Sequence, residues 1–148
     1  MKFTVYDIKL FKKMVGSADD DDEMRLSKRL HKKQPHFCNI IDQVKIDPRC
    51  SEAHLFCTLF CSLALDHAER VTEDDLNPFS ESRFHNIAHM IVQRYPKIGK
   101  RAYTYPDRVK RHILKDLEFD EEDNDWLIIM ISTFLTIIEM ISIDDDLC

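Results

Sequence analysis

The stretch from Glu52 to Arg70 reads EAHLFCTLFCSLALDHAER and decides the fold class of this chain. Its apolar residues recur at helical spacing and cover most of the circumference of a helix, rather than a single stripe. Such a helix must be enclosed by other elements on nearly every side. We therefore predict that a helix over 52–70 is the central and most buried element, with helices over 81–95 and 126–143 packed against it.

The rest of the chain also favours helices. Glycine occurs only twice in 148 residues, whereas sheets and tight hairpins use glycine at positive φ. The length suits one ordinary domain, and a 44% hydrophobic share supplies a core. We predict a single all-α domain over 1–148, a bundle of six or seven helices. Besides 52–70, the predicted helices cover 4–15, 23–33, 36–45, 81–95, 106–118 and 126–143.

The stretch Trp126–Ile143 reads WLIIMISTFLTIIEMISI and is close to the minimum length of a membrane span. Glu139 lies inside it and acidic residues flank both ends, whereas the cytoplasmic flanks of spanning helices prefer Lys and Arg. We predict a core helix and no membrane association. The five cysteines are odd in number, and Met1–Val5 lacks the pattern of a signal peptide. A reducing, cytoplasmic location is therefore expected.

A set of Cys and His residues is the first candidate for chemistry. His54, Cys57 and Cys61 share one face of the predicted central helix, and His85 and His89 lie four residues apart on the next long helix. If the two helices pair antiparallel, these side chains can converge into a four-ligand metal site. The alternative is that the cysteines act as small apolar core residues, since no CxxC spacing occurs. The favoured interpretation requires no cofactor, and a Cys/His metal protein stays an alternative.

A basic segment over 94–115, interleaved with tyrosines, is the second candidate. Basic side chains neutralise phosphates and tyrosines can stack on unpaired bases, so the segment suits a nucleic-acid-contacting subunit of a larger assembly. The net charge of −6 argues against non-specific nucleic-acid binding. The candidate residues are Arg94, Lys97, Lys100, Arg101, Tyr103, Arg108, Lys110, Arg111 and Lys115.

Catalysis is not indicated by the sequence. It contains no Ser/His/Asp order, no GxSxG turn and no glycine-rich phosphate loop. Compact all-α domains often recognise a partner protein through a groove or a helix face. We therefore favour a non-catalytic, acidic, protein-interaction module or regulator with a groove between 52–70 and 126–143. Adaptable methionines that would line such a groove are Met14, Met24, Met90 and Met140.

Three stretches carry a family resemblance. Glu52–Ala68 followed by Ser80–Phe84, together with Phe3–Ile8, resembles parts of the Bcl-type helical regulator proteins of poxviruses. The resemblance covers about a third of the chain and implies a viral regulator that binds a host helix or signalling protein in a groove. The Asn-Trp-Gly-Arg signature of that family is absent, and the single tryptophan, Trp126, lies elsewhere. No binding residue is therefore carried over from the family.

Overall fold

The computed structural model describes residues 3–44, 51–72, 76–94 and 105–143. Within these ranges the chain forms seven α-helices and no strand, which confirms the all-α prediction. A 3₁₀ turn, Leu114–Asp116, follows the sixth helix. The helices are α1 (Val5–Gly16), α2 (Asp20–Lys33), α3 (Pro35–Val44), α4 (Ser51–Thr72), α5 (Glu81–Arg94), α6 (Tyr105–His112) and α7 (Glu121–Ile143).

The first two helices begin with reciprocal side-chain caps. The Asp7 amide donates to Thr4 Oγ1 at 3.2 Å, and the Thr4 amide donates to Asp7 Oδ2 at 2.8 Å. Asp19 and Asp22 form the same arrangement at the start of α2, with the Asp22 amide 2.8 Å from Asp19 Oδ1. The acidic run therefore forms the first turn of α2, three residues earlier than predicted, because carboxylates stabilise the positive end of the helix dipole.

The predicted helix over 106–118 is wrong at its C-terminal end. Helix α6 ends at His112, and the chain tightens so that the Leu117 amide donates to the Leu114 carbonyl at 3.2 Å. Three residues per turn place Leu114 and Leu117 on the same side, where both pack against the core. Helix α7 also begins five residues earlier than predicted, since the acidic residues from Glu121 to Asp123 favour a helix start.

Helices α4 and α7 pack against each other and form the centre of the bundle. Helix α4 also contacts α1, α2 and α3, whereas α7 contacts α5 and α6. The predicted packing of α5 on the central helix is therefore wrong, since α5 lies chiefly against α7 with a smaller contact to α3. Aromatic packing explains this position: the Phe37 ring of α3 lies 5.2 Å from that of Phe84 in α5 and 4.6 Å from that of Phe134 in α7.

Helix α7 is buried without interruption from Ile131 to Ile138. Two of its buried hydroxyls bond within the helix: Thr133 Oγ1 donates to the Ile129 carbonyl at 2.6 Å, and Thr136 Oγ1 donates to the Ser132 carbonyl at 2.7 Å. These bonds let polar residues lie in an apolar environment. Among the described residues, no helix combines the length and the apolar character that crossing a membrane requires.

Glu139, near the end of α7, connects both ends of the described chain. One of its carboxylate oxygens accepts from the Phe3 amide at 2.8 Å and also from the Tyr105 hydroxyl. Arg108 adds a bond to the Phe3 carbonyl at 3.3 Å. This network holds the N-terminus, α6 and α7 together.

Gln34 fixes another segment of the chain through its side chain. It is fully buried between α2 and α3. Its side-chain oxygen accepts from the Phe79 amide at 2.7 Å, and its side-chain nitrogen donates to the Asn77 carbonyl at 3.2 Å. The segment before α5 is thereby fixed, because breaking these bonds would leave buried polar groups unpaired.

We expect Phe60→Ala to lower the free energy of unfolding by about 3–5 kcal/mol, and Leu63→Ala by about 2–5 kcal/mol, because each leaves a cavity in the centre of the bundle. Phe60 is fully buried, with its ring 5.6 Å from that of Phe11, and Leu63 is 7% exposed. Urea unfolding followed by circular dichroism measures the change. Val92→Ala, at a helical residue that is 48% exposed, is the control and should change stability by less than about 0.5 kcal/mol. Equal stabilities for all three variants would contradict the core assignment.

Candidate functional site

A groove of about 290 Å³ lies where α4 faces the segment between α6 and α7. Its floor is apolar and its edges are acidic, and we call it the apolar groove. Residues from α1, α2, α4 and the segment 116–119 contribute to it. The apolar lining residues are Val15, Leu55, Phe56, Leu59, Leu117 and Phe119, and the acidic ones are Glu23, Glu52, Asp116 and Glu118.

Helical spacing in α4 and the 3₁₀ turn together create the floor. Leu55, Phe56 and Leu59 fall on one face of α4, and exposure decreases from 37% at Leu55 to 1% at Leu59. The Phe119 ring closes the far wall, with its centroid 6.4 Å from that of Phe56 at an angle of 70°. Because edge-to-face aromatic packing fixes this wall, the groove exists before any ligand enters it.

Most carboxylates at the edge of the groove lack a cationic partner among the described side chains. Asp116 is the exception, since it pairs with Lys12 at 3.5 Å. Glu23, Glu52 and Glu118 form no ion pair with another side chain in the described part of the protein. Sequence reasoning missed this site, since it assigned residues 116–118 to a helix and nothing in the sequence places them beside α4.

The methionines predicted to line a groove lie elsewhere. Met14 and Met24 are exposed, whereas Met90 and Met140 pack against the core. The predicted groove between 52–70 and 126–143 is also wrong, because α4 and α7 pack directly against each other. The apolar groove uses a different face of α4.

The structure does not bring the five predicted metal ligands together. Cys57 and Cys61 are fully buried, while His54 Nε2 lies 2.9 Å from Asp42 Oδ1. His85 and His89 are exposed on α5, where they neighbour Glu81 and Gln93 respectively. This separation follows from the packing of α5 on α7 rather than on α4. Across the described ranges, no group of three or more His, Cys, Asp or Glu side chains is placed to hold a metal ion.

The predicted nucleic-acid segment is divided by the structure. Lys97, Lys100, Arg101 and Tyr103 lie outside the described residues, as does the side chain of Arg94. Arg108 bonds to the Phe3 carbonyl, and Lys110 is exposed. Tyr105, another tyrosine of the segment, is 3% exposed and bonded to Glu139, so it cannot stack on a base.

Arg111 and Lys115 instead line a second concavity together with residues of α1. This opening, which we call the basic cleft, has a volume of about 480 Å³. Lys9 and Lys12 form its α1 wall and were absent from the sequence-based candidates. Their three-residue spacing places both on the polar side of α1, but the sequence does not predict that this side faces the basic end of α6. The contact between α1 and α6 brings the two sets of basic residues together.

The buried cysteines of α3 and α4 form a small cluster. Burial is the main cause that raises the pKa of the Cys38 thiol to about 12, and the charges of Asp42 and Cys57 add to it. Burial likewise raises the pKa of the Cys61 thiol well above its usual value, helped by a hydrogen bond with Cys57. Neutral thiols in this position behave as core residues rather than as nucleophiles or metal ligands.

Comparisons with protein-family models, with curated proteins and with solved structures give no match to this chain. The resemblance to the poxvirus regulators therefore stays a prediction.

Cys38 should resist alkylation in the folded protein. Because its pKa is raised to about 12, the thiol stays protonated at pH 8–9, and the reactive thiolate forms only as the pH approaches 12. We expect iodoacetamide at pH 8.5 to label Cys38, Cys57 and Cys61 only after urea is added, as read by peptide mass spectrometry. Rapid labelling of Cys38 without urea would contradict its position in the core.

Proposed function

We propose that this protein is a non-catalytic interaction module whose apolar groove binds a basic amphipathic helix of a partner protein. The observation that supports this most directly is the combination of a preformed apolar floor with the carboxylates of Glu23, Glu52 and Glu118, which no described cation neutralises. An amphipathic helix places apolar residues at i, i+4 and i+7 into such a groove. Lys or Arg on its flanks would then meet the acidic edges.

The chemistry of the lining favours binding over catalysis. The described residues that line the apolar groove are aliphatic, aromatic or acidic, and none is a His, Cys, Ser, Thr or Lys. The described lining therefore offers no hydroxyl, thiol, amine or imidazole nucleophile, and its only ionisable groups are carboxylates. Carboxylates at its edges also disfavour a nucleic acid as the occupant, since phosphates would be repelled.

Location and partner class follow from the same proposal. A reducing cytoplasm would keep the free thiols of Cys38, Cys57 and Cys61 in the state that the core requires. The resemblance to the poxvirus regulators, if it reflects ancestry, would make the partner a host signalling protein with an exposed helix.

The proposal is tested by selecting binders from a library of helical peptides displayed on phage, a method that does not require the partner to be identified first. We expect the selected peptides to share apolar residues at i, i+4 and i+7 with Lys or Arg between them. Leu55→Arg places bulk and a positive charge in the groove, so it should weaken peptide binding at least about tenfold. Fluorescence anisotropy measures the affinity, which should also fall as salt is raised.

Val92→Arg is the matched control, because it adds the same side chain at an exposed apolar residue outside the groove. It should leave the peptide affinity unchanged. Selected peptides without basic residues, or equal loss of binding in both variants, would overturn the proposal.

A further inference from the structure

The basic cleft between α1 and α6 concentrates positive charge, most of which has no ion-pair partner among the described residues. Lys9 and Lys12 line one side, while Arg111, His112 and Lys115 line the other. Only one carboxylate, that of Asp116, lies among these described lining residues, 3.5 Å from Lys12 Nζ. Lys9, Arg111 and Lys115 form no ion pair with any other described side chain. Repulsion among these like charges destabilises the folded protein, and an anion bound in the cleft would reduce that repulsion.

His112 lies in the cleft within range of the positive charges of both α1 and α6. Its pKa lies below the usual value of an imidazole, first because of partial burial and then because of the positive charges of Lys9, Arg111, Arg108 and Lys12. Asp116 is the carboxylate that faces the same cleft from the 3₁₀ turn. Positive charges from both α1 and α6 therefore act on the His112 imidazole.

We propose that the basic cleft binds a compact, multiply charged phosphate compound, such as an inorganic oligophosphate. Four permanent cations offset by one carboxylate suit a ligand with three or four negative charges. The planar guanidinium of Arg111 can donate two parallel hydrogen bonds to one phosphate group, and the lysines can neutralise the others.

The surroundings favour a compact ligand over a nucleic-acid strand. No Phe, Tyr or Trp is among the described residues that line the cleft, so His112 supplies the one aromatic ring there and successive bases have no row of rings to stack on. Asp116 also borders the apolar groove, where Glu118 follows it. A strand leaving the cleft on that side would meet carboxylates.

Isothermal titration of the full chain with inorganic tripolyphosphate at low salt tests the proposal. We expect saturable binding that Arg111→Glu or Lys9→Glu weakens at least about tenfold, the loss expected when a charge-assisted contact is replaced by repulsion. Lys110→Glu is the matched control, since Lys110 adjoins Arg111 in α6 but does not line the cleft. It changes the net charge equally and should weaken binding less than about twofold. Thermal melts confirm that each variant is folded.

A nuclear magnetic resonance titration of His112 supplies a second readout. Bound phosphate favours the imidazolium, so the pKa of His112 should rise when tripolyphosphate saturates the protein. Absence of binding at millimolar tripolyphosphate, or an equal loss in the Arg111 and Lys110 variants, would overturn the proposal. Tighter binding of a single-stranded oligonucleotide, in competition with tripolyphosphate, would overturn it in favour of nucleic acid. The variants leave the apolar groove intact, so this test is separate from that of peptide binding.

Discussion

The burial of α7 from Ile131 to Ile138 determines how the other helices are arranged. Every residue from Ile131 to Ile138 is buried, so other helices must cover the whole circumference of this part of α7. Helices α4, α5 and α6 surround it, and α4 in turn supports α1, α2 and α3. Glu139 ends the buried run and fixes Phe3 and Tyr105 through hydrogen bonds. The polar network and the apolar core thus position the same elements.

Both candidate binding surfaces follow from this arrangement. Because α7 holds one side of α4, the face that bears Leu55 remains open and becomes the floor of the apolar groove. Because α6 is anchored on α7, its basic end lies against α1 and forms the basic cleft. Asp116, in the 3₁₀ turn, borders both openings. Acidic and basic residues of the sequence thus lie on two neighbouring surfaces, the acidic edges of the apolar groove and the basic cleft.

The pattern of apolar residues predicted each of the seven helices in the described ranges, because helical periodicity is a local property of the sequence. It did not predict that α7 would cover α5, since Phe37, Phe84 and Phe134 come from three distant segments. The metal hypothesis depended on that unpredictable pairing. The basic cleft was half predicted, through Arg111 and Lys115. Lys9 and Lys12 belong to a solvated face of α1 that only tertiary contact makes relevant.

The central claim is that the face of α4 around Leu55 receives a helix of a partner protein. Site-specific photo-crosslinking tests it most directly, with a photoreactive residue at Leu55 or at Val92 and lysate from the native source. We expect a partner to be cross-linked from Leu55 but not from Val92, and the cross-linked segment of that partner to be helical and rich in Lys and Arg. The same products from both positions, or a Leu55 cross-link to an acidic or irregular segment, would contradict it.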